Sequence, residues 1–191
     1  MSEDAIRAAA AAERWSEATT LAVRLYGDEL LGYLVAMTRN EVDAGDAFAI
    51  ACEQLWRALP RFRWDCSLRT LCYALARQSL GRVRRDPHRK RAVALSDADV
   101  SAAVAEVRSP TPPFMRTAVK DKVAELRAQL APDDQTLLIL RVNRGLQWRE
   151  IARALSDDDQ PTAEALTRAA AALRKRFERL KQELKAKAQA G

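Results

Sequence analysis

Apolar residues recur every three or four positions through most of this chain, with charged and small polar residues between them, the pattern of amphipathic helices. Residues 1–20 are alanine-rich and predict helix. From Thr20 to Arg39, the positions Leu21, Leu25, Leu30, Leu31, Leu34 and Met37 predict one helix, or two short ones broken near Gly27–Asp28. Asn40–Glu41 is the expected turn. The next helix, Asp43–Leu59, carries Phe48, Cys52, Leu55 and Trp56 at helical spacing, and Pro60 ends it. After a loop from Arg61 to Ser67, a helix capped by Ser67 is predicted to run to Arg85. Leu68, Leu71, Cys72 and Leu75 form its apolar side. Thr70, Tyr73, Arg77, Gly81 and Arg84 fall near another face, which is aromatic and basic.

Beyond Asp86–Pro87 the periodicity lapses. Residues 92–118 form an expected linker that includes Ser109-Pro110-Thr111-Pro112-Pro113, a run that prevents regular helix and favours an extended path. A second helical domain, 119–191, follows. Val123, Leu126 and Leu130 predict one helix, stopped by Pro132. A second helix, capped by Asp133 or Asp134, carries Leu137, Leu138 and Leu140 towards Gly145, a C-terminal stop. Gln147–Leu155 is a short helix. The last helix shows a seam of Leu166, Ala170, Leu173, Phe177, Leu180 and Leu184, stepping by four and three. Leu166–Phe177 are expected to pack within the domain, leaving Leu180 and Leu184 outside it for a partner helix. Valine, isoleucine and threonine never gather into alternating runs, and there is no Asn-Gly or Asp-Gly hairpin signal. The expected fold class is all-α: two small helical domains, 1–91 and 119–191, joined by the proline-containing linker.

Composition adds a partner class. The 191 residues carry a net charge of +6, and the sequence pI is about 9.5, which suits a polyanion or simply a soluble basic protein. Arg82, Arg84, Arg85, Arg89, Lys90 and Arg91 crowd together with one acid, Asp86, a cluster able to neutralise several phosphates. Three cysteines (Cys52, Cys66, Cys72) without a C-x-x-C spacing argue against a disulfide framework, and with His88 they have no regular zinc spacing. No signal peptide and no apolar run of membrane-spanning length is present, so a cytoplasmic protein is expected. No phosphate-cradling glycine loop or nucleophile constellation is found, and neither enzyme activity, metal nor cofactor is expected.

The loop between the third and fourth predicted helices concentrates the chemistry. Phe62 and Trp64 alternate with Arg61, Arg63 and Asp65, and aromatic rings beside arginines suit unstacked bases and their phosphates. A core aromatic cluster with a solvated basic face fits the same residues. In addition, the run from Trp56 to Arg77 resembles the −10-reading part of bacterial extracytoplasmic-function sigma factors, W-R-A-L-P-x-F-R-x-D-x-S-L-R-T-W-L-Y-x-I-A-R-N. Trp56, Arg57, Ala58, Leu59, Pro60, Phe62, Arg63, Asp65, Ser67, Leu68, Arg69, Thr70, Tyr73, Ala76 and Arg77 match it in one register. Leu71 and Gln78 replace the family's Trp and Asn.

This resemblance implies a sigma region 2-like domain that binds core RNA polymerase through the helix beginning D-A-E-D, where Asp43, Ala44 and Asp46 match and Ala49 and Ile50 replace a Gln-Glu pair. The implied docking face is Asp43, Asp46, Ala49, Ile50 and Glu53. The implied −10 contacts to promoter DNA are Phe62, Arg63, Trp64, Asp65, Ser67, Arg69, Tyr73, Arg77, Arg82, Arg84 and Arg85. The linker corresponds to one that crosses the polymerase cleft, although an inert tether is equally compatible.

Farther on, L-L-x-L-R, a glycine and W-x-E-I-A resemble the family's region 4 helix-turn-helix, which reads the −35 element. Here the turn Ser156-Asp157-Asp158-Asp159-Gln160-Pro161 is longer and acidic, and Ala169 and Ala172 stand where DNA contacts belong. Thr162, Thr167, Arg168, Lys175 and Arg176 remain as weakened −35 candidates, because aspartates repel phosphate and alanine offers no hydrogen-bond readout. The resemblance therefore implies a sigma factor whose partners are core polymerase, promoter DNA and a possible anti-sigma or other regulatory protein. The departures point to an alternative, a sigma-like chain co-opted as a regulatory or interaction module.

Overall fold

The computed structural model describes residues 2–85, 97–108, 125, 129–158 and 160–190. Every element among them is helical, as expected, and the chain divides into two compact units, residues 1–109 and 110–191. The cluster Arg89, Lys90 and Arg91, the proline run 109–113, Asp159 and the helix expected around Val123 and Leu126 lie outside the described residues.

The first unit contains α1 (Glu3–Ala11), α2 (Trp15–Thr38), α3 (Glu41–Ala58), a 3-10 turn (Leu59–Arg61), α4 (Leu68–Arg85) and α5 (Ala98–Arg108). Helices α2, α3 and α4 pack on one another, and α1 and α5 both lie against α2. Arg39, left-handed at φ 55°, ends α2. Asn40 then caps α3, its Oδ1 accepting from the N–H groups of Val42 (2.9 Å) and Asp43 (3.2 Å). Tyr33, Tyr73, Phe48, Leu34, Leu59 and Leu68 are fully enclosed. The rings of Tyr33 and Tyr73 meet edge-on at 5.6 Å. Burial pushes the Cys52 thiol up to about 12 and raises Cys72 well above its ordinary value.

Helix α2 is not broken near Gly27–Asp28. A Cβ at Gly27 would lie 2.7 Å from Val107 Cγ2 and 3.3 Å from Phe48 Cζ. The glycine therefore admits a neighbouring helix instead of interrupting its own. That neighbour is α5, which lies inside the stretch 92–118 expected to be linker. Its Val100, Ala103 and Val104 are buried, and Glu106 pairs with Arg24 of α2 at 3.4 Å. The Arg108 side chain lies over Gly45 of α3.

The second unit contains α6 (Pro132–Leu138), continued by a wider turn of π type (Ile139–Asn143), then α7 (Trp148–Leu155) and α8 (Ala163–Ala190). Pro132 sits where a helix needs no N–H from it. Gly145, at φ 69°, reverses the chain into α7, whose start is held by Gln147 N–H donating to Glu150 Oε2 at 2.8 Å. Leu137, Leu140, Leu146 and Ile151 form the core, and Phe177 of α8 meets Trp148 edge-on at 5.4 Å. Leu180 is buried, so it belongs to the packed interior and not to a free seam; Leu184 is half-buried.

Candidate functional site

Helix α3 turns Ala44, Ala47, Phe48, Ala51, Cys52 and Leu55 inward. Its opposite face is a stripe of Val42, Asp46, Ile50 and Glu53, four positions on three residues or four apart. Val42 is 65% exposed. Its type gave no polar signal in the sequence, yet it joins Ile50 in an apolar flank around Asp46. Asp46 is half-exposed, but its Oδ2 is buried and has no hydrogen-bond partner among the described residues. Glu53 pairs with Arg57 one turn on, and Asp43 lies at the capped N-terminal turn. Ala49 is a correction to the expected face: it is buried, on the side of the helix that holds Gly45 and the overlying Arg108.

The 3-10 turn feeds directly into the loop Phe62–Ser67. Phe62 and Trp64 are both half-buried, with ring centroids 4.8 Å apart. Trp64 has a left-handed backbone, φ 59°, which is costly for a bulky residue and persists only where contacts fix it. Arg63 and Asp65 are exposed and pair loosely at 3.5 Å. Ser67 caps α4 as expected: its Oγ accepts from Thr70 N–H at 3.2 Å. The first N–H of α4, on Leu68, donates instead to Glu3 Oε1 of α1 at 2.8 Å. Tyr26 donates to the other oxygen of Glu3 at 3.2 Å. Burial first, and then the Glu3 charge, raise the Tyr26 hydroxyl well above its ordinary value. Arg7 places its guanidinium 4.4 Å from the centroid of the Trp64 ring. The alanine-rich N-terminus, which carried no role in the sequence, thus borders the loop.

Helix α4 is rotated relative to the expected assignment. Its buried side holds Leu68, Thr70, Cys72, Tyr73, Ala76, Ser79, Leu80 and Val83. Its outward stripe is Leu71, Leu75, Gln78, Arg82 and Arg85. Tyr73, 1% exposed, cannot stack on a base, which corrects its place among the DNA contacts. Arg69 is also committed within the fold: Nε and a terminal nitrogen reach the two Glu29 oxygens at 2.6 and 2.9 Å. Arg84 donates to the Met37 carbonyl at 3.2 Å, capping the end of α2. Gln54 of α3, with its amide turned to donate to Ser79 Oγ, accepts from Arg82 at 2.7 and 3.0 Å. Arg77 is half-buried and Arg85 exposed. Leu71 and Leu75 were missed as surface groups, because leucine at helical spacing signals core.

In the second unit, Thr162 caps α8 by accepting from Ala165 N–H at 3.1 Å, and the Thr167 hydroxyl donates to the Ala163 carbonyl at 2.8 Å. Arg176 is hydrogen-bonded to Asp134 of α6, which raises its pKa and ties it to the fold. Arg168, Lys175 and Arg179 point outward along α8. Ala169 and Ala172, where DNA contacts were expected, line an open groove of about 380 Å³ between α7 and α8, with Leu155, Leu166 and Leu173. Among the described residues no cluster of acids, histidines and cysteines suits a metal ion, and no helix is long and apolar enough to cross a membrane.

Compared with known families, residues 22–90 match Sigma-70 region 2. Over 150 residues the chain is 28% identical to the RNA polymerase sigma-H factor of Pseudomonas aeruginosa, an alignment covering 71% of this chain and 73% of that one. No solved structure matches.

Proposed function

We propose that this chain is an RNA polymerase sigma factor of the extracytoplasmic-function type, acting in the cytoplasm. It docks core polymerase through α3 and captures the opened −10 element with the Phe62–Ser67 loop. One observation carries the reading. The stretch that matches Sigma-70 region 2 coincides with the α2–α4 bundle, and that bundle presents the docking stripe and the aromatic loop at its surface.

The chemistry of each patch suits its role. Asp46 stands half-exposed on the α3 stripe, flanked by Val42 and Ile50. A partner that supplies one cation and an apolar rim completes it. Phe62 and Trp64 offer aromatic faces to an unstacked base, while the exposed Arg63 and Arg85 are free to meet the phosphates that would follow it. Leu71 and Gln78, outward on α4, extend that track. In the second unit, α7 and α8 form the region 4-like helix-turn-helix, where Arg168 and Lys175 are the outward cations left of the expected contacts and Arg179 lies on the same helix. These hold phosphate without reading bases, so −35 selectivity is low on this account.

The test is complex formation with purified core RNA polymerase. We expect Asp46→Ala to weaken the complex about tenfold or more, the scale of a hydrogen-bonded charge, and Phe62→Ala to leave it unchanged. Absence of a complex at micromolar protein would overturn the reading in favour of a co-opted interaction module.

A further inference from the structure

Resting on the base-capture reading of the loop, we infer that α1 is a working part of the −10 site, with Arg7 a positioning residue that holds Trp64 in the pose that supports Phe62 for base capture. Three observations converge on this helix. The Trp64 backbone is left-handed, which a β-substituted residue does not adopt unless neighbours hold it. The Arg7 guanidinium lies over the indole, 4.4 Å from its centroid, close enough to supply such a hold. Glu3, one turn earlier on α1, takes the first N–H of α4 and so fixes the other end of the same loop.

The loop is therefore braced at Trp64 and at its junction with α4 by one element. Ile6 and Ala9 anchor that element, both fully buried. Arg7 and Trp64 are separated by about half the length of the first unit in sequence, and neither side chain alone announces the other. With Arg7 on the indole and Phe62 4.8 Å away from it, Phe62 is left to meet an incoming base. Arg7 acts through Trp64, not by touching DNA.

The experiment measures binding of the full chain, at low ionic strength, to a fluorescein-labelled pool of short single-stranded DNA of random sequence. Arg7→Ala is expected to lower affinity about two- to fivefold, the worth of an exposed cation–π contact. It should add nothing in a Trp64→Ala background, and should leave the salt dependence unchanged. Amide exchange should quicken from Phe62 to Leu68 in Arg7→Ala and in Glu3→Ala. Equal losses in both backgrounds with a shallower salt slope would make Arg7 a direct phosphate contact and overturn the positioning role. So would an unchanged affinity in Arg7→Ala while Phe62→Ala weakens binding. If Phe62→Ala and Trp64→Ala both bind as the unaltered chain does, the base-capture reading itself falls, and the bracing role with it.

Discussion

Charge on a residue says little about whether that charge is available. Four arginines in the first unit illustrate this. Arg69 spends its guanidinium on Glu29, Arg84 on the end of α2, and Arg82 on Gln54, whereas Arg85 stays exposed. Arg69→Ala is accordingly expected to cost about 1–2 kcal/mol of stability, since both partners of the pair are only partly exposed; chemical denaturation measures it. Tyr73→Ala should cost more, about 3–5 kcal/mol, as expected for removing a buried ring. If its loss fell on DNA affinity with stability unchanged, the buried assignment would be wrong. Thiol chemistry gives a third check. Cys52 and Cys72 are enclosed with raised pKa values, while Cys66 is half-exposed. Native protein at neutral pH should react rapidly with a thiol reagent at Cys66 alone, as peptide mapping would show.

At the scale of elements, the helices were legible and their faces only partly so. Apolar spacing located α2, α3 and α4 to within a few residues, because Phe48, Leu55 and Leu68 are large and buried. The rotation of α4 was hidden because its buried face includes Thr70, Tyr73, Ala76 and Ser79, which are small or carry a hydroxyl and give a weak apolar signal, while Leu71 and Leu75 face outward. A residue-type tally weighs the leucines and misses the small ones that let α3 come close. Gly27 was ambiguous for the same reason. Its isolated position left one helix or two equally open, and only the tertiary neighbour Val107 explains it. Gly27→Ala should lower stability by about 1 kcal/mol net, the crowding against Val107 outweighing the gain in helix propensity. Adding Val107→Ala should restore it, as thermal melting would register. The N-terminal α1 was foreseen as helix but not as part of the site, because Arg7–Trp64 and Glu3–Leu68 are long-range contacts that no local spacing encodes.

For the molecule as a whole, the two units contribute unequally to the proposed activity. On the proposed reading the first joins a polymerase-facing stripe and a base-capturing loop on one bundle, and the second adds a basic face on α8. Nucleic-acid binding should therefore be strongly salt-dependent and only weakly selective without polymerase. Selectivity should arise once docking brings the loop to opened DNA, where aromatic stacking offsets the cost of unstacking. The most direct measurement is transcription in vitro by core RNA polymerase from a library of bacterial genomic fragments, with and without this chain. The account predicts new transcripts whose start sites share an upstream −10 element, lost with Phe62→Ala. Transcription no different from that of core polymerase alone, from a chain that is folded and bound to it, would contradict the account.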